Sequence, residues 1–250
     1  MSQPVTAAGV FAATFTWRPA EMTSDASLLT AQYRRRFDAE RTAREAVWRV
    51  LIDAWFSRYV DGAEAVLDLG CGWGTFINQV QVPRRYAIDL NADAPRHIDR
   101  GVSLFCQSAD EPWPLPDGSL DLVFTSNFLE HLASRDAIMA ALGEAFRCLR
   151  PQARMVCLGP DIRYAKGDYW NFFDHVIPLT ARSLTEALEL VGFRPDRVID
   201  RFLPYTLAGR RAPPAVAIRA YLRLPPAWRL MGRQFLVIAS KPGSQASLPR

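Results

Sequence analysis

Glycine stands at every second position, Gly70, Gly72 and Gly74, directly after the apolar run Ala65 to Leu69, and the acid Asp68 lies inside that run. A short run of this kind reads as a strand covered on both faces, and Thr75 to Val82 can continue as a helix. The glycines therefore fall at a strand-to-helix turn. Glycine there admits positive φ and lets a ligand lie against main chain, while a helix that follows would offer free N–H groups at its start. The chemistry that suits such a turn is the holding of a cofactor. A dinucleotide fingerprint, G-x-G-x-x-G, needs glycine or alanine where Thr75 stands. Proton transfer has three imidazoles to draw on: His131, His175 in the stretch YWNFFDHVIPLT, and His97 in a surface-like helix.

The observed G-x-G-x-G, with Asp68 two residues ahead of Gly70, resembles motif I of the class I S-adenosylmethionine-dependent methyltransferases, small-molecule type. The likeness continues through SLDLVFTSNFLEHL, similar to the family's fourth strand and following helix, and LRPQARMVCLGP, similar to its fifth-strand entry. It covers about residues 63 to 160. Departures are mild: Trp73 is bulky between two glycines, and Gln152-Ala153 replaces a more usual glycine pair.

The resemblance implies a set of contacts to S-adenosylmethionine. Asp89, at the end of the second strand and about twenty residues beyond the first glycine, would accept from the ribose hydroxyls. Asp110, with Ala109 beside it, would accept from the adenine amine, and Leu90 or Trp113 could lie against the ring. The glycine turn, Cys71 included, would pass the methionine portion, with Asp68 fixing the ammonium group. Ser126 and Asn127 would close the other side. No metal is expected.

Methyl transfer is an in-line displacement, so the protein chiefly aligns and desolvates the acceptor. A base is needed only for a hydroxyl or a protonated amine. His131 is expected near the reactive end, with helix packing as its alternative role. His175 is expected in the loop after the fifth strand, with Asp161, Asp168 and Asp174 as alternates. No N/D-P-P-Y/F motif follows the fourth strand and no cysteine follows a proline, which argues against nucleic-acid substrates. The aromatic loop Tyr164 to Phe173 and the apolar connection 203–233 suit a partly hydrophobic or glycosylated small molecule, and TxxSLxxALELxGF and LPPAWRL are similar to methyltransferases of bacterial surface polysaccharide and glycolipid assembly. The expected function is methyl transfer to an oxygen, with nitrogen second, of a small metabolite or lipid-linked glycolipid or polysaccharide precursor. Rival readings are a non-catalytic S-adenosylmethionine-binding partner and an NAD-dependent oxidoreductase.

Alternating elements must hold these residues in place. Apolar strand signals fall at 65–69, 85–89, 102–106, 120–125, 154–158, 193–202 and 234–239, with helical stretches such as 134–149, 183–191 and 215–224 between them. Alternation of this kind predicts an α/β fold: a Rossmann-like, seven-stranded, mostly parallel sheet with helices on both faces. The resemblance adds an antiparallel last strand. Before it, Tyr33, Phe37, Val47, Leu51, Trp55 and Phe56 recur at helical spacing. The organisation expected is a flexible arm at 1–26, a helical lid at 27–60, a methyltransferase domain at 61–242 with a cap-like connection at 203–233, and a flexible tail at 243–250. Tyr33, or one of Arg34 to Arg36, should reach the methionine carboxylate.

Composition sets the outer bounds. With 49% hydrophobic and 22% charged residues the chain reads as folded and soluble, and no run approaches the roughly 20 apolar residues that span a bilayer, although peripheral membrane contact remains compatible. The net charge of +4 comes from scattered arginines rather than a basic stripe. Four separated cysteines with no C-x-x-C spacing fit reduced thiols in a cytoplasmic protein, monomeric or homodimeric.

Overall fold

The two-sided apolar runs assemble into one sheet. The structure, a computed structural model, describes residues 41–205 and 212–243. Its strands are β1 (Ala65–Leu69), β2 (Arg84–Ile88), β3 (Val102–Phe105), β4 (Leu120–Ser126), β5 (Leu149–Pro160), β6 (Arg194–Leu203) and β7 (Gln234–Ser240). They lie in the order β3-β2-β1-β4-β5-β7-β6, and β7 runs antiparallel to both its neighbours. The expected Rossmann-like fold class is the one observed. β5 is longer than the run 154–158 suggested. It begins at Leu149 and crosses an irregularity in the register with β4, where Gln152 takes φ +68°. That left-handed value suits glycine, and here glutamine adopts it.

The helices are α1 (Arg41–Leu51), α2 (Ser57–Val60), α3 (Arg135–Cys148), α4 (Ile162–Ala165), α5 (Ala181–Val191), α6 (Ala215–Leu222) and α7 (Pro225–Met231). A π-helical turn, Ile52–Phe56, joins α1 to α2. The wider turn helps present Trp48, Leu51, Ile52, Trp55 and Phe56 to one apolar layer. Local chemistry fixes other ends. Ser134 caps α3 by accepting from the Ala137 N–H, a Thr180–Ser183 capping box opens α5, and Gly192 closes it at φ +111°.

Two apolar layers sandwich the sheet. On one face Leu67, Leu69 and Val123 meet α3 and α5. On the other, Val66, Leu122 and Phe124 meet α1, α6 and α7, with Phe76 stacked on Phe124 at 3.8 Å between centroids. Alternate residues of β1 and β4 thus serve opposite layers, as the period of a strand requires.

One expected element does not form. Residues 72–79 make successive turns rather than a helix. The side chains there compete with the backbone: Asn78 Nδ2 donates to the His97 carbonyl at 2.8 Å, Asn78 Oδ1 accepts from the Asp99 N–H at 3.0 Å, and Gln79 Nε2 donates to the Thr75 and Glu45 carbonyls at 2.8 and 3.2 Å. Ile77, Val80 and Val82 add β-branched residues that helices tolerate poorly.

Candidate cofactor and acceptor site

The carboxyl end of β1 opens directly onto the glycine turn. Gly70, Gly72 and Gly74 all take positive φ, at +69°, +54° and +72°. At Gly70 a Cβ would also lie inside the Phe128 ring, so backbone angle and close packing both require glycine. Without a helix behind it, the turn does not present a row of free donors. The N–H groups of Gly70 and Cys71 donate to the Ile88 carbonyl, Gly74 N–H donates to the Cys71 carbonyl, and Gly72 N–H donates to Asp89 Oδ2 at 2.6 Å. What the turn offers a ligand is bare main-chain surface.

Two buried carboxylates stand behind it. Asp89, just past β2, accepts from the N–H groups of Gly72 and Asn91, the latter at 2.8 Å. Burial nonetheless raises its pKa. Asp68 is 3% exposed, and burial together with the charge of Asp89 pushes its pKa up to about 8, against a hydrogen bond from the Ile77 backbone.

A cavity of about 610 Å³ extends from this turn along the carboxyl ends of β4 and β5. Asp68, Gly70, Cys71, Gly72, Ser126, Asn127, His131 and His175 all line it. The sequence-predicted residues that the structure brings together are therefore the methionine-side group and both histidines. Gly74, Asp89, Leu90, Ala109 and Asp110 do not line it. Leu90 is half-exposed, and Asp110 is exposed and accepts from the Ser108 hydroxyl. Trp113 is buried in the apolar layer under α3, its Nε1 donating to the Ala109 carbonyl at 2.9 Å. That position withdraws its ring from any ligand surface. Tyr33 and Arg34 to Arg36 lie outside the described residues. The part of the expected lid that is described contributes Arg41, Arg44, Glu45 and Trp48 to the cavity wall.

The far end of the cavity is built by a clamp between two segments. After β4 the chain turns sharply, with Asn127 at φ +50° and its N–H donating to the Leu158 carbonyl at 2.9 Å. Asparagine is among the few residues besides glycine that take this backbone region readily. Glu130 follows, and its carbonyl accepts from both Val176 and Ile177 N–H, at 2.9 and 3.1 Å. This fixes the loop carrying His175 beside His131, with ring centroids 4.8 Å apart. His175 is 8% exposed and stacks on Phe172 at 5.0 Å. His131 Nδ1 lies 3.0 Å from the Asp174 carbonyl and 3.2 Å from Asp174 Oδ2. Both partners accept only, so Nδ1 carries a proton, which in the neutral tautomer leaves the lone pair at Nε2.

Of the alternate acids, Asp174 lines the cavity, whereas Asp161 binds Arg163 and caps α4, and Asp168 pairs with Arg233. Sequence reasoning missed Glu130, which is 1% exposed, and Gln234. Among the described residues Glu130 Oε1 and Gln234 Oε1 have no hydrogen-bond partner, although both residues line the cavity. Burial raises the Glu130 pKa, and the neighbouring His131 opposes that rise. The four cysteines are free thiols.

A sheet of this order, with its seventh strand reversed and a glycine turn over β1, is the Rossmann-like fold of methyltransferases that use a nucleoside cofactor. The chain belongs to the class I S-adenosylmethionine-dependent methyltransferases: residues 34–198 match the family described as "Methyltransferase domain". It is similar to a SAM-dependent methyltransferase from Archaeoglobus fulgidus, at 22% identity and TM-score 0.61, over 82% of this chain and 99% of that one. It is also similar to geranyl diphosphate C-methyltransferase from Streptomyces coelicolor A3(2), solved with Mg2+, geranyl diphosphate and S-adenosyl-L-homocysteine, at 16% identity and TM-score 0.51 over 76% of each chain. A curated relative, an uncharacterised 37.1 kDa protein in transposon TN4556 of Streptomyces fradiae, is 34% identical over 122 residues. That match takes in 45% of this chain and 34% of the relative's length. The cofactor of the family is S-adenosylmethionine, and the dinucleotide reading of the glycine turn is set aside. Among the described residues no helix is long and apolar enough to cross a membrane.

Proposed function

We propose that this protein transfers a methyl group from S-adenosylmethionine to an oxygen of a partly hydrophobic small molecule or lipid-linked saccharide precursor. One observation carries the reading: a single cavity joins the bare glycine turn to the Glu130, His131 and His175 cluster. The donor set fits the cofactor. Gly70 to Gly72 would leave main-chain surface for the methionine arm, Asp68 would hold its ammonium group, Asp89 beneath the turn would accept from the ribose, and Ser126 and Asn127 would close the other side of the arm. When bound, S-adenosylmethionine supplies a methyl carbon activated by positively charged sulfur.

The chain's own residues do the remaining work. Trp48, Leu203, Ile218 and Tyr221 give the cavity apolar walls that exclude water from the acceptor. Asn127 and Gln234 offer polar anchors. His131, held by Asp174 with its lone pair at Nε2, or His175 across from it, takes the hydroxyl proton.

Calorimetry with S-adenosylmethionine, its demethylated product and NAD tests the cofactor, with tight binding expected for the first two only. Transfer of labelled methyl to a panel of hydroxyl- and amine-bearing aromatic and glycosidic acceptors tests the atom. Label found on nitrogen alone would sink the oxygen assignment.

A further inference from the structure

The three groups at the far end of the cavity invite another reading. One donor atom each from Glu130, His131 and His175 lie within 4.8 Å of one another. Two imidazole nitrogens with one carboxylate oxygen form the donor set of borderline first-row divalent ions such as Zn2+ and Co2+. We propose that these residues form a divalent-cation site in which the ion keeps open positions toward the cavity and binds the acceptor's oxygen; the assignment of that oxygen rests on the function proposed above.

Three independent features point the same way. Glu130 is 1% exposed, yet its Oε1 has no hydrogen-bond partner among the described residues. An isolated buried carboxylate oxygen is costly unless something positive meets it. His131 already has a ligand's second partner: its Nδ1–H donates to both the carbonyl and a carboxylate oxygen of Asp174, which leaves Nε2 as its coordinating atom. This carboxylate–histidine arrangement is how metal-binding imidazoles are held. The backbone then ties the cluster together, because the Glu130 carbonyl binds the N–H groups of Val176 and Ile177 next to His175. Donors to one tetrahedral ion lie about 3.3 Å apart at bond lengths of about 2.0 to 2.1 Å. The cluster therefore closes by up to about 1.5 Å on binding, a movement that side-chain rotation of Glu130 can supply.

The site changes what the histidines do. Bound to the ion they no longer act as free bases; the ion lowers the pKa of a coordinated hydroxyl, whose proton passes to solvent water. Asp174 is then a positioning residue, acting through His131.

Cobalt tests the site without any acceptor. Apo protein, stripped with chelator and then dialysed, is titrated with Co2+ and followed by visible d–d absorption, while calorimetry follows Zn2+. One equivalent should bind. E130Q and H175A should weaken binding by at least about tenfold, and D174N by about tenfold through a misplaced His131. H97A, which alters a histidine stacked on Trp73, should bind as the parent does. Thermal melts identify any variant that fails to fold; the near-isosteric E130Q and D174N then decide the matter. A parent protein that takes up neither ion at about 100 µM, or an E130Q protein that binds as tightly as the parent, would overturn the site. S-adenosylmethionine affinity is measured on the same samples. Intact cofactor binding without ion binding removes the cation alone, and ion binding without cofactor binding removes the transfer reading while leaving the cation site.

Discussion

The two ends of the cavity differ in what they do with backbone donors and with carboxylate and amide oxygens. At the glycine turn the engaged groups are the main-chain donors and the Asp89 carboxylate: Asp89 accepts from Gly72 and Asn91, and the N–H groups of Gly70, Cys71, Gly72 and Gly74 are spent on Ile88, Cys71 and Asp89. At the far end Glu130 Oε1 and Gln234 Oε1 have no partner among the described residues, and Asn127 holds a left-handed backbone. A satisfied polar network is rigid and presents shape. An unsatisfied one presents binding capacity, at a cost in stability. On the function proposed above, the first end would be a preformed seat and the second a reactive surface, with the clamp at the Glu130 carbonyl tying the loop after β5 to the turn after β4.

Substitutions at each end should separate these roles. The largest effect is expected from Gly70→Val, where positive φ and the Phe128 ring both forbid a side chain. It should cost at least about 3 kcal/mol of stability and abolish cofactor binding. A melting temperature within about 2 °C of the parent would show that the seat is not rigid.

At the reactive end the pattern should invert. His175→Ala should lower turnover about 100-fold while cofactor affinity stays within about threefold. A fall in affinity matching the fall in turnover would merge the two ends into one. Asp89→Ala is the reciprocal case. It should weaken S-adenosylmethionine binding by roughly 1 to 3 kcal/mol in calorimetry, because a buried acceptor beneath the turn is lost and two N–H groups are orphaned. Equal affinity in parent and variant would remove Asp89 from the seat.

A separate effect concerns pH. Asp68 has a folded pKa raised from its usual 3.8 to about 8, so between those values the folded state binds more protons than the unfolded one. Its contribution to stability is full below about pH 4 and is lost as pH rises toward 8. Asp68→Asn stays neutral throughout. Its melting temperature relative to the parent should therefore climb between about pH 4 and 8, and a constant gap would show that the carboxyl ionises normally.

The glycine turn was legible because its signals are local. Five apolar residues followed by spaced glycines specify a buried strand and a tight turn with little help from elsewhere, and Asp89 was readable from its place at the end of an adjacent run. The helix after the glycines was misjudged because Asn78 and Gln79 find partners at His97, Asp99 and Glu45, which no window around them contains. Trp113 is withdrawn for a similar reason: its place under α3 depends on Glu144, which accepts its backbone N–H at 2.6 Å. Glu130 was missed at the reactive end because, within FLEHL, it reads as a solvated helical acid. Its burial depends on Val176 and Ile177 arriving from the loop after β5. The histidines were found by scarcity of their residue type, but their pairing is a property of that same long-range clamp.

The placement of β7 bears on the order in which the sheet can be made. β7 follows β6 in sequence but lies between β5 and β6, and all seven of its residues are buried. During synthesis β1 to β5 can pair as they emerge, whereas β6 must wait, because among the described residues β7 is its one strand neighbour. The edges of β5 and β6 stay open until Gln234–Ser240 arrives and closes both at once. A pause on the ribosome before that point leaves two unpaired edges, the state in which chains exchange strands or aggregate. Gln234, whose side-chain amide donates to the carbonyls of Pro204 and Tyr205, locks the cavity wall in the same step that completes the sheet.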